Sequence, residues 1–323
     1  MRQIILLPRT MLPAYILCLL AFAGCKNDNT KNTLMSDKPS ITAVNAPTQF
    51  ADINGRKIAY RTVGSGAPMI LCQRFRGNMD DWDPAFIDAL AKNYEVIIFN
   101  YTGLASSTGE PHTDMKTFSS DVIDLAKALG HQKVILGGWS FGGWVAQIVT
   151  TENPELVAQT ILIGTKPPGE NKHTFEDIFL QTAYKPDYDV ADEVILFFEP
   201  ISAFSRKAAQ ESHDRIAARK EKDPRVTVDQ FKFYAMGNED FIKDPYNARQ
   251  KLTTTTIPIL VISGDHEVCF PPENWFELNR KLPTTQVVVI PRAGHGPQHQ
   301  YPEMTADYIH SFIQTNNRLA AAQ

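Results

Sequence analysis

The chain has 323 residues, 43% of them hydrophobic, and apolar content this high excludes a largely disordered protein. Lys and Arg number 32 against 36 Asp and Glu, for a net charge of −4 with no strongly basic block, which argues against nucleic acid as a partner. The four cysteines, at positions 18, 25, 72 and 269, are too few and too scattered for a disulfide framework or a zinc site.

Arg2 and Arg9 precede the apolar run from Met11 to Gly24, the layout of an export signal. A membrane-spanning helix needs about 20 apolar residues, so the run predicts a signal over residues 1–24 and not a membrane span. Its end, Phe22-Ala23-Gly24-Cys25, resembles a bacterial lipobox, with Phe22 where an aliphatic residue is usual. That resemblance implies a lipid on Cys25 and an exported protein held at a membrane, facing the periplasm or the cell exterior. Residues 25–46 are polar and aperiodic, which predicts a tether. Cys72 and Cys269 lie in or just beyond apolar runs and are expected to be buried free thiols.

From Gln49 to Val63 the sequence alternates around Asn54-Gly55, a hairpin signal that places an antiparallel pair at the start of the sheet. Short β-branched runs then recur at Met69–Leu71, Val96–Phe99, Val134–Leu136, Ile161–Ile163, Ile259–Ile262 and Val287–Ile290. Each predicts a strand buried on both faces. Between them, Trp82, Phe86 and Leu90 share one helix face. Val122, Leu125 and Leu129 form a second stripe, and Tyr308, Ile309, Phe312 and Ile313 a third. This alternation predicts an α/β fold, a mostly parallel doubly wound sheet with helices on its faces. Its core covers residues 47–165 and 257–316.

The rhythm breaks over residues 166–256, which contain no clear strand run but many aromatics and a charged helical stretch from Ala208 to Lys222. This segment predicts an inserted helical lid. Most of its aromatics are expected to form the lid's own small core, with a few lining a pocket.

The chemistry concentrates in Gly138-Trp139-Ser140-Phe141-Gly142, a G-x-S-x-G sequence with a β-branched strand before it and a helix pattern (Trp144, Ile148) after it. A serine hydroxyl is a weak nucleophile at its ordinary pKa and must be lifted clear of the sheet beside a base. A sharp turn does this, and glycines two residues before and after relieve the crowding. The helix that follows brings free N–H groups and a dipole that favour a developing oxyanion. Further on, Ile259–Pro271 offers two carboxylates after a strand, Asp265 and Glu267. His295 follows the last strand directly. His295 and His299 are four apart, but the surrounding prolines and glycines argue against a helical metal pair.

Taken together, residues 48–316 resemble the α/β-hydrolase superfamily, whose order is nucleophile, acid, histidine. The resemblance implies Ser140 as nucleophile and His295 as base. In the family register G-x-x-D-x-x-x-P, counted from Gly264 and Pro271, it implies Glu267 as the acid where Asp is usual, with Asp265 as the alternative. Most relatives carry His-Gly after the strand at Met69–Leu71. Here Gln73-Arg74-Phe75-Arg76-Gly77 is similar to a bacterial subgroup, and the register implies the backbone N–H groups of Phe75 and Phe141 as oxyanion donors. The matches at Phe99–Glu110 and Leu196–Pro200 continue that likeness. Arg74 and Arg76 are either anion contacts or partners in structural ion pairs. Relatives that are dehalogenases or epoxide hydrolases use Asp where Ser140 stands, so the resemblance implies hydrolysis of a small or medium ester or related acyl compound, with no metal or organic cofactor. Perhydrolase or haloperoxidase-like use of the same triad, and a lipid-anchored binding protein with little turnover, are the two alternatives.

Overall fold

The computed structural model describes residues 41–322. The predicted signal, Cys25 and the tether up to residue 40 lie outside the described residues.

Strands β1 (Gln49–Ile53) and β2 (Arg56–Gly64) pair antiparallel across Asn54 and Gly55. Both turn residues have positive φ, 49° and 83°, the twist that a two-residue hairpin requires. Six further strands follow: β3 (Ala67–Cys72), β4 (Tyr94–Phe99), β5 (Val134–Trp139), β6 (Val157–Ile163), β7 (Ile259–Gly264) and β8 (Thr285–Ile290). Among the described residues they complete one eight-stranded sheet, ordered β1-β2-β4-β3-β5-β6-β7-β8. β2 joins β4 antiparallel, and every pairing from β4 to β8 is parallel.

Helices cover both faces. On one side, α1 (Pro84–Ala91) and α11 (Pro302–Ala321) bury Phe86, Leu90, Ile309 and Phe312 with the sheet residues Val96, Ile98 and Ile161. On the other, α2 (Met115–Ala128) and α3 (Phe141–Glu152) bury Phe118, Val122, Leu125 and Val145 with Ile70, Ile97 and Leu136. Asp83 and Asp114 cap α1 and α2 by accepting from the N–H groups of Ala85 and Thr117, which satisfies donors that a helix start leaves open.

Several sequence expectations change. β8 is an edge strand, and its Val287, Val288 and Val289 are only half-buried. Trp82 is buried with Phe86 but precedes α1, and Tyr308 is exposed on the outer side of α11. The last residues of the predicted tether are docked: Ala43 and Ala46 are buried, and the Arg219 guanidinium donates to the carbonyls of Val44 and Ala46, each at 2.9 Å.

Between β6 and β7 lies a helical insert: α4 (Asp177–Ala183), α5 (Val190–Phe197), α6 (Ala203–Ala217), α7 (Phe231–Lys243) and α8 (Ala248–Leu252). It does not form a core of its own. Phe231, Tyr234 and Phe241 join the α2/α3 side, whereas Phe197, Phe198 and Ala209 join the α1/α11 side. Arg215 on α6 grips the buried carboxylate of Asp83 with two bonds of 2.8 and 2.6 Å, fastening the insert to the start of α1. Two short helices complete the chain path, α9 (Glu273–Phe276) after β7 and α10 (Pro297–Gln300) after β8.

β4 and β5 lie on opposite sides of β3, so the chain reverses its winding there. A crevice opens at the carboxyl ends of strands at such a point, and the loops after β3 and β5 border it.

Candidate active site

Ser140 stands between β5 and α3 with φ 58° and ψ −120°, a conformation that costs a non-glycine residue on the order of 1–3 kcal/mol. Tight packing holds it. The Ser140 N–H donates to the Ile163 carbonyl at 2.9 Å, and the Ser140 carbonyl accepts from Gly143 at 2.9 Å. A Cβ on Gly142 would lie 2.0 Å from the Cys72 carbonyl oxygen, and one on Gly138 would lie 2.1 Å from the Gly142 carbonyl oxygen. The glycine spacing in the sequence is therefore a requirement of how closely α3 crosses β3 and β5.

The structure brings Glu267 to His295. Both are buried, and the imidazole Nδ1 lies 2.9 and 2.8 Å from the two carboxylate oxygens. One of those oxygens also accepts from the backbone N–H groups of Cys269 and Phe270, at 2.8 and 3.1 Å, so the loop after β7 holds the carboxylate in place. Asp265 is exposed, and its backbone N–H donates to the Ile290 carbonyl at 3.0 Å. The Nε1–H of Trp139 donates to the His295 carbonyl at 2.8 Å.

Phe75 lies in a turn closed by Gly77 N–H to the Arg74 carbonyl, with Arg76 at φ 54°. A positive φ at the third turn position is usually met by glycine or asparagine. Among the described residues no protein acceptor takes the Phe75 N–H. The Phe141 N–H, at the first position of α3, has no partner within its own helix.

The two flanking arginines have separate duties. Arg74 is buried, pairs with Asp81 at 3.3 Å and lies over the rings of Trp139 and Phe197, at 5.2 and 4.9 Å. Arg76 donates to the carbonyls of Ala183, Lys185 and Pro186 and stacks on Tyr188 at 4.2 Å. It binds the insert by its backbone.

Two cavities meet at Ser140. The larger, about 160 Å³, is lined by Phe75, Phe141, Trp144, Phe179, Tyr234 and Phe270, among others. Lys166 is the one charged side chain on its wall. An apolar cavity of roughly 150 Å³ holds a benzene ring. The smaller, about 10 Å³, is shared by Ser140 and His295 and walled by Phe179, Leu196 and Phe197. Burial lowers the pKa of Lys166, and burial beside Glu267 pushes the Cys269 thiol up.

Among the described residues, Cys72 and Cys269 are both buried and free. No group of three or more His, Cys, Asp or Glu there is placed to hold a metal. His299 turns away from His295. Its ring is 4.6 Å from Trp139, its Nε2 accepts from the Asp83 N–H at 3.4 Å, and burial lowers its pKa to about 4. Phe179 is one of the insert aromatics, a few of which are expected from the sequence to line a pocket. Lys166 and the Trp139–His295 bond carried no sequence signal, because their partners lie far along the chain and meet only on folding.

The family described as alpha/beta hydrolase fold matches residues 67–302. Among curated proteins the chain is 26% identical over 293 residues to proline iminopeptidase PfmaB of Pestalotiopsis fici, covering 82% of this chain and 99% of that protein. It is 25% identical over 280 residues to a putative non-heme chloroperoxidase of Synechocystis, covering 80% and 95%. Among solved structures it is similar to an alpha/beta hydrolase fold protein from Chitinophaga pinensis, with a TM-score of 0.76 at 26% identity, covering 84% of this chain and 99% of that one. With the sheet order, the serine turn and the match over most of the chain in agreement, the protein belongs to the alpha/beta hydrolase fold family.

Proposed function

We propose that this protein is a serine hydrolase that cleaves a small or medium carboxylic ester through Ser140, Glu267 and His295. One observation carries the reading: a buried imidazole, held by a carboxylate at 2.8 Å, shares a cavity with a serine on a strained turn. In the reaction, His295 takes the Ser140 proton as Oγ attacks the acyl carbon. Glu267 keeps the imidazole in its working tautomer and stabilises the imidazolium. The N–H groups of Phe75 and Phe141 receive the negative oxygen. His295 then protonates the departing alcohol, which leaves an acyl group on Ser140. Water, deprotonated by His295, releases the acid.

The two cavities support a division of the substrate into two halves. The leaving group must sit beside the acid that protonates it, so it occupies the cavity of about 10 Å³ that His295 lines. The acyl group takes the cavity of about 160 Å³, which His295 does not line. This favours esters of a very small alcohol with an acyl chain of about ring size. The helical insert acts as a lid over both.

A fluorophosphonate probe followed by peptide mapping tests the nucleophile, and a panel of methyl esters of rising acyl length tests turnover. Labelling of Ser140 with turnover supports the reading, whereas an inert serine and no turnover overturn it. Labelling without turnover favours the binding-protein alternative. A second use of the same acyl-enzyme is supported by the chloroperoxidase relative: attack by peroxide in place of water would give a peracid, which oxidises halide and returns the acid. Halogenation that needs both acetate and peroxide would show it. Export and lipidation at Cys25 remain part of the proposal, and Cys25→Ser should move the protein out of the membrane fraction.

A further inference from the structure

We infer that the acyl cavity is built for a chain that ends in a carboxylate, with Lys166 as its counter-ion. The inference rests on the ester-hydrolase reading for which cavity takes the acyl group. Lys166 lies three residues past the end of β6, and its carbonyl is anchored by the Gln147 side chain at 3.0 Å. Its Nζ lies over the rings of Trp144 and Phe270, at 5.2 and 5.5 Å. Those rings wall the same cavity as Ser140.

Among the described residues no carboxylate lies within ion-pair distance of this ammonium, although Lys251, Lys185 and Lys172 each have one. Cys269 also lines the cavity, but burial keeps its thiol protonated, so it offers no negative charge. Ring faces compensate a cation only in part. A half-buried ammonium without an anion keeps a deficit that an incoming carboxylate fills through a charge-assisted hydrogen bond. A chain ending in an amine would instead meet a like charge. The remaining wall is mostly aromatic and aliphatic, with Asn238 as its one amide, and suits the methylenes between the ester and the acid. The substrate class is therefore the half-ester of a short dicarboxylic acid with a small alcohol.

Two probes on the purified protein decide it. The first is kcat/KM for monomethyl adipate against methyl 6-methylheptanoate, whose isopropyl end replaces the carboxylate in shape. The wild type should prefer the charged ester. In Lys166→Met the ratio of the two values should fall about tenfold or more, as expected when a charged partner is removed from a desolvated pair. Lys166→Arg should restore most of the ratio. A purely structural role would lower both values together and leave the ratio unchanged. The second probe is calorimetric binding of adipate, which should be present in the wild type and lost in Lys166→Met. A ratio that is the same in all three proteins, or a wild type that does not bind adipate, overturns the inference. If adipate binds through Lys166 but neither ester turns over, the carboxylate site at Lys166 stands, and the hydrolase reading falls together with the half-ester class.

Discussion

Trp139, the residue before Ser140, donates its indole proton to the main-chain carbonyl of His295 at 2.8 Å. The loop that carries His295 is thus fastened to the strand that leads into Ser140, although 155 positions separate the two in the chain. Trp139→Phe keeps the ring but removes the donor, leaving a buried carbonyl without this partner. Stability should drop by about 1–3 kcal/mol in a urea melt. Because small displacements of a base are costly, kcat on a methyl ester should fall between about tenfold and a hundredfold with KM little changed.

Glu267 and Asp265 are two residues apart, and only the first touches the imidazole. Glu267→Gln should reduce kcat by about four orders of magnitude, the loss known when a triad acid becomes its amide. Asp265→Asn should stay within about twofold of the wild type, because the side chain is exposed. Steady-state kinetics on both variants checks the ranking, and the reverse order would transfer the role to Asp265.

Gly142→Ala tests why the turn reads as it does. The new methyl carbon would lie 2.0 Å from a backbone oxygen of β3, which no rotamer change relieves. A loss of about 3 kcal/mol or more, seen in the denaturant midpoint, is expected. Gly130→Ala is the contrast. There nothing lies within 4 Å of the added carbon, and only the positive φ of 79° opposes it, at roughly 1–2 kcal/mol.

His299 provides a pH-dependent term. Burial lowers its pKa from 6.5 to about 4, so between these values the unfolded chain binds a proton that the folded one refuses. The stability it contributes is fully present above pH 6.5 and is lost as the pH falls toward 4. Its size is on the order of 3 kcal/mol. Comparing urea midpoints of the wild type and His299→Gln at pH 7 and pH 5 isolates it. The gap between the two proteins should narrow at the lower pH.

Local chemistry made much of this fold legible. The Asn54-Gly55 turn announces its own φ angles, and the serine turn is spelled by its two glycines. The family register counted from Gly264 to Pro271 singles out Glu267, the carboxylate that lies 2.8 Å from the His295 imidazole. Other features depend on what the chain meets after folding. The Val287–Ile290 run has the composition of a central strand, and only its place at the end of the sheet order exposes it. The aromatics of the insert were visible, but not the two body cores they joined. Lys166 looks like any loop lysine until Trp144 and Phe270 surround it.

Arg76 has a mechanical consequence. From the loop that presents the Phe75 N–H, it grips three main-chain carbonyls at and just beyond the end of α4. In the proposed reaction the insert is the roof and the Phe75 N–H part of the electrophilic cradle, and both would hang from one bolt. On that proposal, swinging the roof outward to admit a molecule would tug on the cradle, so entry and the stabilisation of charge would share one latch.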